Sequence, residues 1–224
     1  MKAKLLVLLI VPLIWNCKEN KETAQPQIDE VTQQPVAVTK VPAVIRELAK
    51  FAEPTFSDST NIDSLMIFKE LDATGTVNPI DMTRAIGLYK AMMRPGQVTV
   101  MPIFEIKNTD TSILPVQGKG FGGAIWANVL VDRKSLEIKK VAFEHKAESE
   151  GYGAAMTQSS FENQFIDTKI NFEQKIFNLQ KAIEKRADDG IIVEGISGAT
   201  MTSKGAVEMM NEGLRKYRNY LEGV

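Results

Sequence analysis

Four hydroxyls stand within seven residues in Ser197-Gly198-Ala199-Thr200-Met201-Thr202-Ser203, near the end of a 224-residue chain. An apolar run, Ile191-Ile192-Val193, precedes them, and residues 204–221 follow with a helical period that puts Ala206, Met209, Met210, Leu214, Tyr217 and Leu221 on one face. A small-residue turn that opens a helix leaves the first helical amides without intrahelical partners, and those amides together with the helix dipole favour a phosphate. Ser203 or Thr202 is expected to cap this helix, which sets the Thr200 hydroxyl beside the phosphate site. On the residues alone the same string also reads as a capped turn with no ligand.

Two other motifs compete for chemistry. Gly118-Lys119-Gly120-Phe121-Gly122-Gly123 has the letters of a dinucleotide fingerprint, but that fingerprint must open a helix, and residues 124–131 read as a strand. The glycines instead let the backbone run close to a ligand or to another strand. Gly195-Ile196-Ser197 begins like a nucleophile elbow, yet Ala199 stands where the second glycine belongs, and His145, the single histidine, is the only base. Cys17 is the single cysteine, so neither a disulfide framework nor a thiolate metal site is available within one copy. A formal net charge of −1, with both signs interspersed, gives no basic footprint for nucleic acid.

The elements that must position these residues follow from periodicity. Residues 41–52 and 79–93 read as helices, the second with Pro79 in its first turn and Ala85, Leu88, Tyr89 and Met92 along one face. After Arg94-Pro95-Gly96 the period falls to two: Val98, Val100, Phe104 and Ile106 mark one strand, residues 124–131 a second and residues 138–144 a third, with Asp132-Arg133-Lys134-Ser135 as the hairpin connection between the last two. Residues 161–183 carry Phe165, Phe172, Ile176, Leu179 and Ile183 at helical spacing. Strands grouped together with helices around them make the class α+β.

The N-terminus sets the compartment. Met1-Lys2-Ala3-Lys4 is basic and residues 5–15 are apolar, which is the pattern of an export signal and about half the ~20 residues a spanning helix needs. Cys17 just behind this run resembles the lipid-attachment site of bacterial lipoproteins; Ile14 fits, while Trp15 and Asn16 replace the usual small residues. An ordinary cleaved signal with an incidental cysteine and an uncleaved short anchor are the other two readings. Residues 18–40, rich in Glu, Gln, Thr, Pro and Lys, read as a flexible linker. The organisation expected is a signal peptide with lipidated Cys17 over 1–17, a linker over 18–40, an N-terminal helical extension over 41–95 and the main domain over 96–224.

Ser197-Gly198-Ala199-Thr200, continued by Met201-Thr202-Ser203, resembles the flavinylation motif of the FMN-binding domain family, found in flavin-bearing subunits of sodium-translocating NADH:quinone reductases and of Rnf electron-transport complexes. Pro115-Val116-Gln117-Gly118-Lys119-Gly120 resembles that family's glycine turn before its central strand. The segment from His145 through Glu148-Ser149-Glu150-Gly151-Tyr152-Gly153 resembles its run of histidine, then Glu-Thr-Pro-Gly, an aromatic or Leu, and Gly. The departures are Glu194 for Asp, Ser149 for Thr and Glu150 for Pro, and a lipid anchor in place of a spanning helix.

The resemblance implies an antiparallel-rich sheet flanked by helices. It implies FMN joined covalently through its phosphate to Thr200 by a flavin transferase. Ser197, Gly198, Ala199, Thr202 and Ser203 would then surround the ester, and Gly120, Glu148, Ser149, Gly151, Tyr152 and Gly153 would stand near the ring. The flavin supplies the redox chemistry and the protein supplies attachment and tuning. The expected function is extracytoplasmic electron transfer, as a free-standing flavoprotein or as an accessory or component of a membrane oxidoreductase, with membrane redox partners as donor and acceptor. The alternative is a non-redox surface-binding or assembly lipoprotein without cofactor.

Overall fold

The structure, a computed structural model, describes residues 41–57, 60–94, 96, 98–180 and 190–223. The export signal, Cys17 and the linker lie outside the described residues. In chain order the elements are α1 (Ala43–Ala52), α2 (Ile62–Leu65), β1 (Met66–Leu71), β2 (Val77–Pro79), α3 (Met82–Met92), β3 (Met101–Ile106), β4 (Thr111–Lys119), β5 (Ala124–Asp132), β6 (Glu137–His145), α4 (Ser159–Glu162), β7 (Phe177–Leu179), β8 (Ile191–Val193), α5 (Thr200–Lys216) and α6 (Arg218–Glu222). Six strands form one antiparallel sheet in the order β2-β1-β3-β4-β5-β6, and β7 and β8 pair in parallel in a second, smaller sheet. This is the α+β architecture expected, with an antiparallel sheet flanked by helices.

Alternation along the strands sorts two cores. Met101, Ile103, Leu114, Val116, Ile125 and Ala127 point to the face that α5 covers; Phe104, Ile106, Ile113 and Leu130 point to the face that α1 and α3 cover. Helix α5 lies closest to β4 because glycines remove side chains at the contact. A Cβ on Gly213 would sit 2.5 Å from the Val116 side chain, one on Gly205 2.2 Å from Lys119 O, and one on Gly118 2.7 Å from Met209 Cβ. Arg215 and Lys216 in its last turn complement the helix dipole.

Two features of the sheet are absent from the sequence reading. Strand β1 lies inside the segment read as a helical extension and pairs along its whole length with β3. Strand β4 contains Pro115, which cannot donate to a ladder. On the register that sets Phe104 opposite Ile113, Pro115 faces Pro102 of β3, so neither strand offers an N–H there. The Tyr217 hydroxyl from the end of α5 stands at that gap, 2.9 Å from Pro102 O and 2.8 Å from Pro115 O.

Three helical expectations need correction. Pro79 closes β2, and α3 begins later, where Asp81 Oδ1 accepts from Arg84 N at 2.8 Å. The long helix over 161–183 is not formed in its described part. Only Ser159–Glu162 is α-helical, Asp167 takes a left-handed φ of 59°, and the chain reaches β7 by an irregular path. Its apolar residues are still buried, since Phe161, Phe165 and Phe177 form a cluster with Phe143, edge to face or tilted, at centroid distances of 4.8–5.5 Å. The last helix begins at Thr200 rather than at Lys204. No helix among the described residues is long and apolar enough to cross a membrane.

Candidate functional site

Three segments meet where α5 begins: the β4–β5 hairpin tip, the loop leaving β6, and the turn that leads into the helix. Between them is a cleft of about 300 Å³ lined by Phe121, Glu148, Ser149, Tyr152, Gly153 and residues 198–202. That volume is at the lower end of the range for small-molecule sites.

The turn is held by its own backbone and by Ser203. Gly198 has a φ of 72°, and a Cβ there would lie 2.9 Å from the Tyr152 ring, so the position needs glycine twice over. Ala199 occupies the N-cap position and makes no side-chain cap. Neither Thr202 nor Ser203 caps the helix, because α5 starts before both. Ser203 Oγ instead accepts from Ile196 N at 2.8 Å and donates to Ala199 O at 3.0 Å, stapling the turn to the first turn of the helix. Thr200 is the first helical residue, and the first intrahelical bond is made from Ser203 N to Ala199 O. The amides of Thr200, Met201 and Thr202 therefore precede the helical ladder and point toward the cleft end of the helix.

The four hydroxyls have separate fates. Thr202 and Ser203 are buried; Thr202 Oγ1 donates to Glu148 Oε2 at 2.7 Å, and Ser203 is committed as described. Ser197 and Thr200 are exposed, and of these two Thr200 alone lines the cleft.

Glu148 is 8% exposed, and both of its carboxylate oxygens are bonded within the chain. Oε1 accepts from Gly122 N at 2.7 Å and Oε2 from Thr202 Oγ1. The Glu148 amide donates to His145 Nδ1 at 3.2 Å, which gives the single histidine a structural place at the end of β6. Gly120 and Gly153 make room for this carboxylate: a Cβ on either would lie 2.3 Å and 2.2 Å from its oxygens. Gly151, with a φ of 76°, shapes the turn that brings Tyr152 round, and the Tyr152 amide donates to Ser149 O at 3.2 Å.

Of the expected site residues, Glu148, Ser149, Tyr152, Gly153, Gly198, Ala199, Thr200 and Thr202 line the cleft. Ser197, Ser203, Gly120 and Gly151 stand behind or beside it. The sequence reading missed Phe121 and Met201, which line it and are 80% and 62% exposed; Tyr152 is 57% exposed. Phe121 was legible as the one large apolar side chain among four glycines and a lysine in residues 118–123, and Met201 as the residue directly after Thr200. Among the described lining residues Glu148 carries the only charge, so an anion here would meet backbone amides and no basic side chain.

A profile of the FMN-binding domain matches residues 120–215, which span the hairpin tip, the Glu148 loop and most of α5. The NqrC component of the Na(+)-translocating NADH-quinone reductase of Chlamydia caviae is 27% identical over 125 residues, 49% of this chain and 39% of that protein. Its counterpart in Vibrio vulnificus is 30% identical over 108 residues, 46% of this chain and 42% of that protein. The matches thus span about two fifths of the length of these curated relatives. The crystal structure of the corresponding component from Parabacteroides distasonis superposes with a TM-score of 0.61 at 25% identity, covering 78% of this chain and 88% of that one. NqrC of Shewanella oneidensis, at 19% identity, shares the fold with a TM-score of 0.62 over 80% of this chain and 98% of its own. Residues 120–215 thus match the FMN-binding domain, and NqrC components of Na(+)-translocating NADH-quinone reductases are among the proteins to which this chain is similar.

Proposed function

We propose that this chain is an extracytoplasmic electron-transfer flavoprotein whose FMN is joined through its phosphate to the Thr200 hydroxyl. The observation that carries the reading is the separation of the four hydroxyls: Thr200 alone is both exposed and part of the cleft wall, at the first position of α5. The residues present fit the group. The first amides of α5 and the positive end of its dipole would face a phosphoester on Thr200. Phe121, Tyr152 and Met201 offer apolar surface that a flavin ring would cover. With no basic side chain among the described lining residues, a covalent bond takes the place of ionic capture.

When bound, the flavin would carry the electrons; the first amides of α5 would hold its phosphate, and Phe121, Tyr152 and Met201 would flank its ring. A flavin transferase installs it, and the electron donor and acceptor are membrane oxidoreductase components. Acylation of Cys17 tethers residues 41–95 and 96–224 to the envelope membrane through the linker 18–40, and Cys17→Ser should release the protein from the membrane fraction. Loss of membrane retention in that variant supports the anchor; full retention overturns it.

The function is tested by co-expression with a flavin transferase in an exported compartment. The wild-type chain should gain the mass of FMN less one water and fluoresce on a denaturing gel, and Thr200→Ala should show neither. A wild-type chain that stays colourless beside a transferase active on a known acceptor overturns the reading in favour of a non-redox binding module.

A further inference from the structure

The loop after β6 contains an arrangement that a simple cleft wall does not require. The Glu148 side chain spans from the hairpin tip, at Gly122 N, to the first turn of α5, at Thr202 Oγ1, with 2.7 Å bonds at both ends. Phe121 N lies 3.5 Å from the same Thr202 hydroxyl, so the polar contacts of Phe121 and Gly122 with the helix converge on this junction. Three glycines give way to it. Gly120 and Gly153 yield to the carboxylate itself, and a Cβ on Gly122 would lie 2.1 Å from Ala147 O, one residue before Glu148. Burying a carboxylate without a cationic partner is costly, and the amide, the hydroxyl and the nearby helix N-terminus are what offset it.

We propose that Glu148 is a positioning residue that clamps the hairpin tip to the first turn of α5 and so fixes the width of the cleft between Phe121 and Met201. The inference takes the proposed flavin as the cleft's occupant, but the clamp is defined by protein groups alone. Because both carboxylate oxygens are engaged inward, Glu148 acts on the ring through the walls it holds. Glutamine can keep the clamp: its Oε1 accepts from Gly122 N, and its Nε2 donates to the Thr202 hydroxyl, which is free to turn. Alanine cannot reach either group, and aspartate is one methylene short of spanning both.

The test has two arms. In protein without flavin, Glu148→Ala should speed hydrogen exchange at the Gly122 amide on the order of tenfold or more and lower Tm by several degrees, while Glu148→Gln retains most of the protection. Gly153→Ala should also lower Tm; combined with Glu148→Ala it should cost less than the sum of the two, since the nearer of the two groups it clashes with, the Glu148 carboxylate, has gone and only Thr202 Oγ1 remains. In flavinylated protein, Glu148→Ala should lower the fluorescence anisotropy of the ring, and Glu148→Gln should restore it. Unchanged Gly122 exchange in Glu148→Ala, or strict additivity with Gly153→Ala, overturns the clamp whether or not flavin is ever attached. Unchanged anisotropy in Glu148→Ala overturns its action on the cleft. Failure of the wild type to take up flavin speaks against the functional reading and leaves the first arm to decide the clamp.

Discussion

The two ends of α5 are built on opposite terms. Toward its C-terminus the helix is sealed: Gly213 presses it onto β4, Asn211 is buried with all its polar atoms bonded, and Tyr217 closes the proline gap between β3 and β4. At its N-terminus the same helix leaves amides without intrahelical partners and is ringed by the exposed side chains of Phe121, Tyr152 and Met201. Three of the large apolar residues left exposed among those described are therefore at one cleft. The sealed end fixes the helix on the sheet, and the open end is where the fold leaves apolar side chains and helix amides uncovered.

The contrast predicts large stability effects at one end and small ones at the other. Asn211 Oδ1 accepts from Ile176 N and Phe177 N at 3.0 Å each, and its Nδ2 donates to Phe177 O and Val207 O at 2.9 Å each. Asn211→Ala leaves several of these groups buried and unpaired and should cost about 3 kcal/mol in urea unfolding. Gly213→Ala follows, at about 2 kcal/mol, because its Cβ must displace Val116 or lift the helix.

Tyr217→Phe removes the hydroxyl that serves two proline carbonyls and should cost about 1–2 kcal/mol. Complete burial pushes the Tyr217 phenol well above its ordinary range. The unfolded chain therefore releases that proton first, so stability is intact below the ordinary phenol value and falls as pH rises through it toward the elevated folded value. Tyr217→Phe should flatten this alkaline loss, although the raised Tyr220 phenol keeps part of it.

At the open end, Tyr152→Ala and Met201→Ala should change stability by no more than about 0.5 kcal/mol, yet alter the fluorescence yield of attached flavin. If they destabilise as much as Gly213→Ala, the cleft is part of the core and the contrast fails.

Much of this was legible in the sequence. Strand β6 and helices α3 and α5 were readable from their period; β3 and β5 are buried on both faces and were readable as apolar runs bounded by turns, β3 starting at Met101 rather than at Val98. Strand β4 was hidden by Pro115 and by Leu114 and Val116 packing on one face while Ile113 packs on the other, a run of apolar residues on both faces that erases alternation. The phenylalanines of residues 161–177 mimicked a helical stripe, but they are gathered by an irregular chain around Phe143, and burial without periodic backbone leaves the same one-dimensional pattern. At the site, the motif pointed to Thr200, whereas the engagement of Glu148 with Gly122 depends on contacts across 26 residues that spacing cannot reveal.

The central claim is that Thr200 is the flavin's attachment point, and peptide mapping of the transferase-treated chain tests it most directly. Tryptic cleavage after Arg186 and Lys204 yields a peptide, residues 187–204, that contains Ser197, Thr200, Thr202 and Ser203 together. Fragmentation should place FMN less one water on Thr200, and the buried Thr202 and Ser203 should remain unmodified even in Thr200→Ala. The added mass on any other residue, or flavin fluorescence that persists in Thr200→Ala, would contradict the account.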